Sequence, residues 1–78
     1  MKKEELIQEL KKIEGINPDA FGYFFIRKDN VRVEYREHNN ELTLIKYEMD
    51  WSGEYDSHEI YFNNLEPATI LEIFQRFE

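Results

Sequence analysis

The sequence contains no cysteine, and this absence removes several classes of function at once. Without thiols the chain has no disulfide framework, no thiolate nucleophile and no zinc ribbon. A reducing compartment suits this composition, and we expect a cytoplasmic protein. Acidic residues follow Met1-Lys2-Lys3 at once, and no stretch approaches the roughly 18 apolar residues that a membrane span requires. We therefore expect neither export nor insertion into a membrane.

Residues that commonly carry catalysis are scarce. The three glycines, Gly15, Gly22 and Gly53, are isolated, and none is followed by lysine, which excludes a phosphate-binding loop. One serine neighbours a histidine, in Ser57-His58, but adjacent side chains of a strand point to opposite faces and cannot act as nucleophile and base. We therefore predict that the protein is not an enzyme and uses no cofactor.

Basic residues are nearly missing from the second half of the chain. Residues 1–36 carry eight bases against seven acids, whereas residues 37–78 carry two bases, Lys46 and Arg76, against ten acids; the net charge is -7. Such a field repels nucleic acid and acidic membranes and attracts basic surfaces. We therefore expect a protein partner with a basic surface, and neither nucleic acid nor a membrane as a direct partner. The alternative interpretation is that the charge serves solubility alone.

The hydrophobic periodicity predicts a single small α+β domain over residues 1–78. Apolar residues at helical spacing predict one helix over residues 2–14, ended by Gly15, and a second helix that begins at Glu66-Pro67. Between the helices, four strands are predicted over residues 21–27, 31–37, 41–51 and 57–63. The predicted order is α-β-β-β-β-α, an antiparallel meander sheet with two helices packed on it.

The register of the first three strands depends on two short turn sequences. Asp29-Asn30 and Asn39-Asn40 both suit the positive φ angles of tight hairpins. A two-residue turn at the first site pairs Ile26 with Val33 and Phe24 with Tyr35. A two-residue turn at the second site pairs Tyr35 with Leu44.

Under this register both faces of the predicted sheet carry apolar side chains. One face collects Phe24, Ile26, Val33, Tyr35, Leu42 and Leu44. The other collects Phe21, Tyr23, Phe25, Ile45, Tyr47, Met49 and Trp51, with Arg32, Glu34 and Arg36 between them. A sheet with one solvated face should alternate apolar and polar residues, and only the second strand does so.

Three interpretations of this apolar excess stay open. In the first, a longer or bulged turn at Asn39-Asn40 flips the third strand and moves its aromatic side into the core. In the second, one helix covers each face. In the third, both helices cover one face, and the other contacts a partner or a second copy of the chain. The predicted contact residues of that face are Tyr23, Phe25, Tyr47 and Met49.

Residues 48–59 combine five carboxylates with one histidine and no base. Carboxylates at positions i and i+2 of a strand lie on one side about 6.6 Å apart, and interleaved aromatic residues supply rigid anchors. The predicted partner-binding residues are Glu48, Asp50, Trp51, Glu54, Tyr55, Asp56, Glu59 and Tyr61. Oxygen ligands of this kind also suit Ca²⁺ or Mg²⁺, but the spacing fits no EF-hand loop, and we predict no metal site.

In size, acidity and order of elements, the chain resembles the small phage- or plasmid-encoded inhibitors that include DNA-mimicking anti-CRISPR and anti-restriction proteins. No residue motif carries this resemblance, and bacterial immunity proteins and antitoxins share the profile. The resemblance implies an inhibitor or decoy that docks its acidic C-terminal half onto a basic, nucleic-acid-binding surface of a protein. The alternative hypothesis is a homo-oligomeric structural, assembly or immunity-type protein that associates through the aromatic sheet face.

Overall fold

Four antiparallel strands form one sheet in the order β1-β2-β3-β4, with a helix before the first strand and another after the last. The computed structural model describes residues 1–17, 22–49 and 52–78. Its elements are α1 (Lys3–Lys11), β1 (Tyr23–Lys28), β2 (Val31–Arg36), a 3-10 turn (Glu37–Asn39), β3 (Glu41–Met49), β4 (Tyr55–Asn63) and α2 (Pro67–Gln75). The predicted α+β class and the order α-β-β-β-β-α are confirmed.

The two helices begin and end for local reasons. α1 ends at Lys11, earlier than predicted, because the amides of Lys12 and Ile13 bond to carbonyls three residues back and tighten the last turn. Gly15 follows with a φ of 86°, as its predicted left-handed position requires. Pro67 is the first residue of α2. An amide at this position has no acceptor within the helix, so the missing N–H of proline costs no hydrogen bond. Within the described residues, neither helix has the length and hydropathy to cross a membrane.

Both helices pack on the same face of the sheet. The buried core combines residues from α1 and the turn after it, from α2, and from three strands: Leu6, Leu10, Ile13, Phe24, Ile26, Val33, Tyr35, Leu42, Ile70 and Phe74. Full burial of one such side chain stabilises the fold by roughly 1.5–3 kcal/mol. This packing agrees with the helix placement of the third interpretation and not with the second; whether the other face contacts a partner stays a prediction. Among the described residues, the opposite face carries no helix.

The β2–β3 register corrects one prediction. β1 pairs with β2 as expected, but Tyr35 pairs with Leu42 and not with Leu44. The connection holds four residues, 37–40, and closes with Asn40 in the left-handed region at a φ of 48°. The predicted two-residue turn at Asn39-Asn40 is therefore wrong. The first interpretation is right that this turn is longer. Because the register moves by two residues, an even number, β3 is not flipped, and that part of the first interpretation is wrong.

The β3–β4 hairpin extends beyond the rest of the sheet. β3 and β4 have nine residues each, whereas β1 and β2 have six, and the β2–β3 pairing stops where Val31 meets Lys46. The strands then continue as a two-stranded ribbon up to the pairing of Met49 with Tyr55. We call residues 48–49 and 52–56 the hairpin end.

Tyr35 ties the core to the β2–β3 connection, and its phenol makes a testable contribution to stability. The side chain is fully buried, and its hydroxyl donates a hydrogen bond to Oδ1 of Asn40 at 3.2 Å. Burial, with a smaller contribution from the carboxylate of Glu37, raises the pKa of Tyr35 above its ordinary value of 10.0. The folded state therefore holds the proton more tightly than the unfolded state. The stabilisation from this difference is present below pH 10 and is lost as pH rises through the raised pKa.

We predict that Tyr35→Phe lowers the free energy of unfolding by about 1 kcal/mol at pH 7, because one hydrogen bond is lost. As pH rises past 10, the wild type should lose stability faster than the variant, so that the gap narrows. Urea unfolding followed by circular dichroism at several pH values measures both effects. A gap that stays constant up to alkaline unfolding would show that the Tyr35 phenol makes no such contribution.

Candidate protein interface

The structure divides the eight predicted partner-binding residues into separate groups. Asp50 and Trp51 lie outside the described residues, as does the side chain of Tyr55, whose backbone pairs with Met49. Glu48 and Asp56 lie on the face of β3 and β4 that also carries Leu42. Glu59 and Tyr61 lie on the opposite, helix-free face, and Glu54 precedes β4 in the connection. The described acidic residues are therefore not one continuous row.

Glu48 and Asp56 oppose each other directly across the two strands of the ribbon. Nε2 of His58 lies 3.6 Å from a carboxylate oxygen of Glu48 and 3.9 Å from one of Asp56, and Nζ of Lys46 lies 3.2 Å from Glu48. All four side chains are at least 48% exposed, so these ion pairs are weak. Like charges directly opposite each other destabilise a strand pair. The fold thus places two carboxylates directly opposite each other at its projecting end, with Lys46 and His58 as exposed partners beside them.

Glu59 and Tyr61 form the second group, on the helix-free face of β4. The Tyr61 hydroxyl donates a hydrogen bond to the Glu59 carboxylate, and this bond raises the pKa of Tyr61. The two side chains line an open depression of about 410 Å³, together with Glu41 and the buried Thr43. The hydroxyl occupies part of the acceptor capacity of Glu59, as Lys46 and His58 do for Glu48.

Arginines cover the aromatic face that was predicted to associate with another copy. The guanidinium of Arg32 lies 3.9 Å from the ring centre of Phe25. Arg36 lies over Tyr23, and Arg27 lies over Tyr47, each at 5.0 Å. The three rings are half-buried, and of the four predicted contact residues only Met49 is exposed. Each guanidinium-aromatic contact contributes roughly 0.5–2 kcal/mol. The arginines therefore cover much of the apolar surface of this face.

Glu34 contacts two of these three arginines, a role that was not predicted from the sequence. Its side chain is 8% exposed, and its carboxylate lies 2.8 Å from Nε of Arg32 and 3.4 Å from Nη1 of Arg36. Arg32 also donates a hydrogen bond to the hydroxyl of Tyr23 at 2.9 Å. Burial and then the bond to Glu34 raise the pKa of Tyr23. The signal was present in the Arg-Glu-Arg alternation of β2, which places all three charges on one face.

No protein-family model, curated protein or solved structure matches this chain. Its function must therefore be inferred from its own geometry and charge. Among the described residues, no three His, Asp or Glu side chains are grouped closely enough to hold a metal ion.

We predict that Glu34→Gln lowers the free energy of unfolding by about 1–3 kcal/mol, because it removes the buried carboxylate that Arg32 and Arg36 share and leaves Arg36 with only the longer contact to Glu41, at 3.8 Å. Glu48→Gln is the matched control, since it removes the same charge from an exposed site. It should change stability by no more than about 0.5 kcal/mol. Urea unfolding of both variants by circular dichroism makes the comparison. Equal losses would contradict a structural role for Glu34.

Proposed function

We propose that this chain is a non-enzymatic binding module that places its hairpin end in a basic groove of a partner protein and blocks that groove. The observation that carries this proposal is the opposed carboxylate pair of Glu48 and Asp56 on a projecting ribbon. From Tyr47 to Ser57 the sequence holds four acids and no base, so the ribbon beyond the sheet is acidic throughout. Such a site favours a cationic ligand over any neutral or anionic one.

The energetics of the carboxylate pair favour an external cation. A guanidinium or ammonium group placed between Glu48 and Asp56 replaces their repulsion with two charge-assisted contacts. The contacts of Lys46 and His58 with Glu48 are exposed, and each contributes about 1 kcal/mol or less. An incoming arginine therefore displaces them with little loss of free energy. The partner surface thus contains arginines or lysines close together.

Proteins that handle nucleic acid are the partner class that best meets this requirement. Their grooves carry closely spaced basic side chains that neutralise phosphates. A narrow two-stranded ribbon with carboxylates on its exposed side presents negative charge to such a groove in place of the phosphates of a nucleic acid. We therefore propose that the chain acts as a decoy that competes with the partner's nucleic acid. The low positive charge of residues 37–78 is consistent with this role.

We predict that reversing the charge at the hairpin end weakens binding to a basic probe at least tenfold. The variant carries Glu48→Lys and Asp56→Lys; the control carries Glu14→Lys and Glu78→Lys, which are exposed and change the net charge equally. Fluorescence anisotropy with a labelled deca-arginine peptide should show at least a tenfold loss of affinity, about 1.4 kcal/mol, for the hairpin variant and much less for the control. Binding of the wild type should weaken as salt rises.

The decoy role itself has a separate readout. We first purify the proteins that the wild type captures from a cell extract and that the hairpin variant does not. Each is then bound to a labelled nucleic acid. Addition of the wild-type chain should release that nucleic acid, while the hairpin variant should not. Equal loss of probe affinity in both double variants would show that total charge, and not the hairpin end, drives binding. Salt-independent binding would also contradict the proposal.

A further inference from the structure

β4 is an edge strand with little protection against pairing over residues 60–63. Natural edge strands are short or carry charged side chains, especially lysine, or proline or a bulge that blocks addition of another strand. β1, the other edge of the sheet, follows this rule, since it has six residues and ends in Arg27-Lys28. β4 has nine residues, pairs with β3 without a bulge, and contains neither lysine nor proline; its two carboxylates, Asp56 and Glu59, precede residues 60–63.

The C-terminal half of β4 also exposes three consecutive apolar residues. Ile60 is 56% exposed, Tyr61 is 55% exposed and Phe62 is 36% exposed. The core draws its sheet residues from β1, β2 and β3, so the two helices leave β4 uncovered. Because neighbouring side chains alternate, Ile60 and Phe62 are exposed on the helix side and Tyr61 on the opposite side. An added strand would shield apolar surface on both faces at once.

The hydrogen-bond pattern of the sheet shows which backbone groups of β4 point outward. The amide of Tyr47 donates to the carbonyl of Asn30, so odd-numbered residues of β3 bond towards β2 and even-numbered residues bond towards β4. The even-numbered residues of β4 therefore bond to β3, and the odd-numbered residues point outward. Among these, the amide of Ser57 already bonds to Oδ1 of Asp56 at 2.9 Å. Glu59, Tyr61 and Asn63 remain as the outward positions beside the exposed apolar residues.

We propose that β4 pairs antiparallel with β4 of a second copy of this chain, with the two-fold axis at Tyr61, to form an eight-stranded sheet. This register opposes Ile60 to Phe62 of the second copy, and Glu59 to Asn63. It pairs the three outward positions Glu59, Tyr61 and Asn63, and it places no like charges opposite each other. A register with Glu59 on the axis would oppose two carboxylates and is disfavoured.

The charge distribution favours a second copy in this orientation despite the net charge of -7 on each chain. An antiparallel pairing directs the two hairpin ends away from each other. Asp56 lies five residues from the axis, so the two Asp56 residues are separated by about ten strand rises, or roughly 33 Å. The Debye length at physiological salt is about 8 Å, so the acidic ends are screened from each other. A parallel pairing would place them side by side.

The dimer and the proposed decoy role can fail independently. Glu48 and Asp56 lie outside the paired segment, and both hairpin ends stay accessible in the dimer. The proposed dimer also does not use the arginine-covered aromatic face.

Proline at an outward position tests the pairing without removing any hydrogen bond to β3, because its missing N–H is the one that points away from the sheet. Glu59→Pro disrupts the proposed segment. Ser57→Pro, at an outward position beyond it, is the control; it also removes the bond from the Ser57 amide to Asp56, which lies outside the paired segment. Sedimentation equilibrium from about 10 to 500 µM should show a wild-type dimer, at least a tenfold weaker dimer for Glu59→Pro and an unchanged one for Ser57→Pro. Circular dichroism verifies that each variant is folded.

Single cysteines test the register, since the chain has none of its own. Tyr61→Cys should form a disulfide-linked dimer, because Cα atoms across a hydrogen-bonded antiparallel pair are about 5.5 Å apart, within the range that a disulfide spans. Glu59→Cys and the exposed Met49→Cys should not. A stronger cross-link at Glu59 would overturn the register. A wild-type monomer at all concentrations, or a dimer that Tyr47→Glu breaks and Glu59→Pro does not, would overturn the proposal.

Discussion

The pairing of Tyr35 with Leu42 determines which side chains of this sheet are buried. With that register, Leu42 joins Val33 and Phe24 beneath the two helices, and the alternation of β3 places Tyr47 on the other face. The same alternation continues into the ribbon. It sets Glu48 opposite Asp56, so the geometry of the acidic end follows from the pairing of strands in the middle of the sheet. A shift by one residue would exchange every one of these positions.

The apolar side chains of the helix-free face are covered, whereas those of the edge strand β4 are exposed. On the helix-free face, arginines cover the aromatic rings, and Glu34 holds two of those arginines in place. β4 contributes no residue to the buried core, because the two nine-residue helices pack against only β1, β2 and β3. Its apolar residues therefore remain exposed next to outward backbone groups. The β3–β4 hairpin thus carries both proposed interfaces, an electrostatic one at its end and an apolar one along its edge.

The order of elements and the β1–β2 register followed from the sequence, because helical spacing, strand alternation and the Asp29-Asn30 turn all act locally. The β2–β3 connection did not, since Asn39-Asn40 carries a two-residue turn signal although the turn begins at Glu37. The alternation of β2 places Arg32 and Arg36 on the aromatic face. Their stacking over the rings depends on contacts between strands, which the alternation does not predict. The exposure of Ile60 and Phe62 depends on how far the helices reach, which no local pattern encodes. Asp50 and Trp51 stay predictions, since they lie outside the described residues.

The central functional claim is that binding is localised at the hairpin end and is not a property of total charge. Two-dimensional NMR of the isotopically labelled protein, titrated with unlabelled deca-arginine peptide, measures this residue by residue. We expect amide shifts to concentrate in residues 46–58, with Glu48 and Asp56 among the largest, and to disappear at high salt. Shifts spread evenly over the acidic residues of both helices and the strands would contradict it.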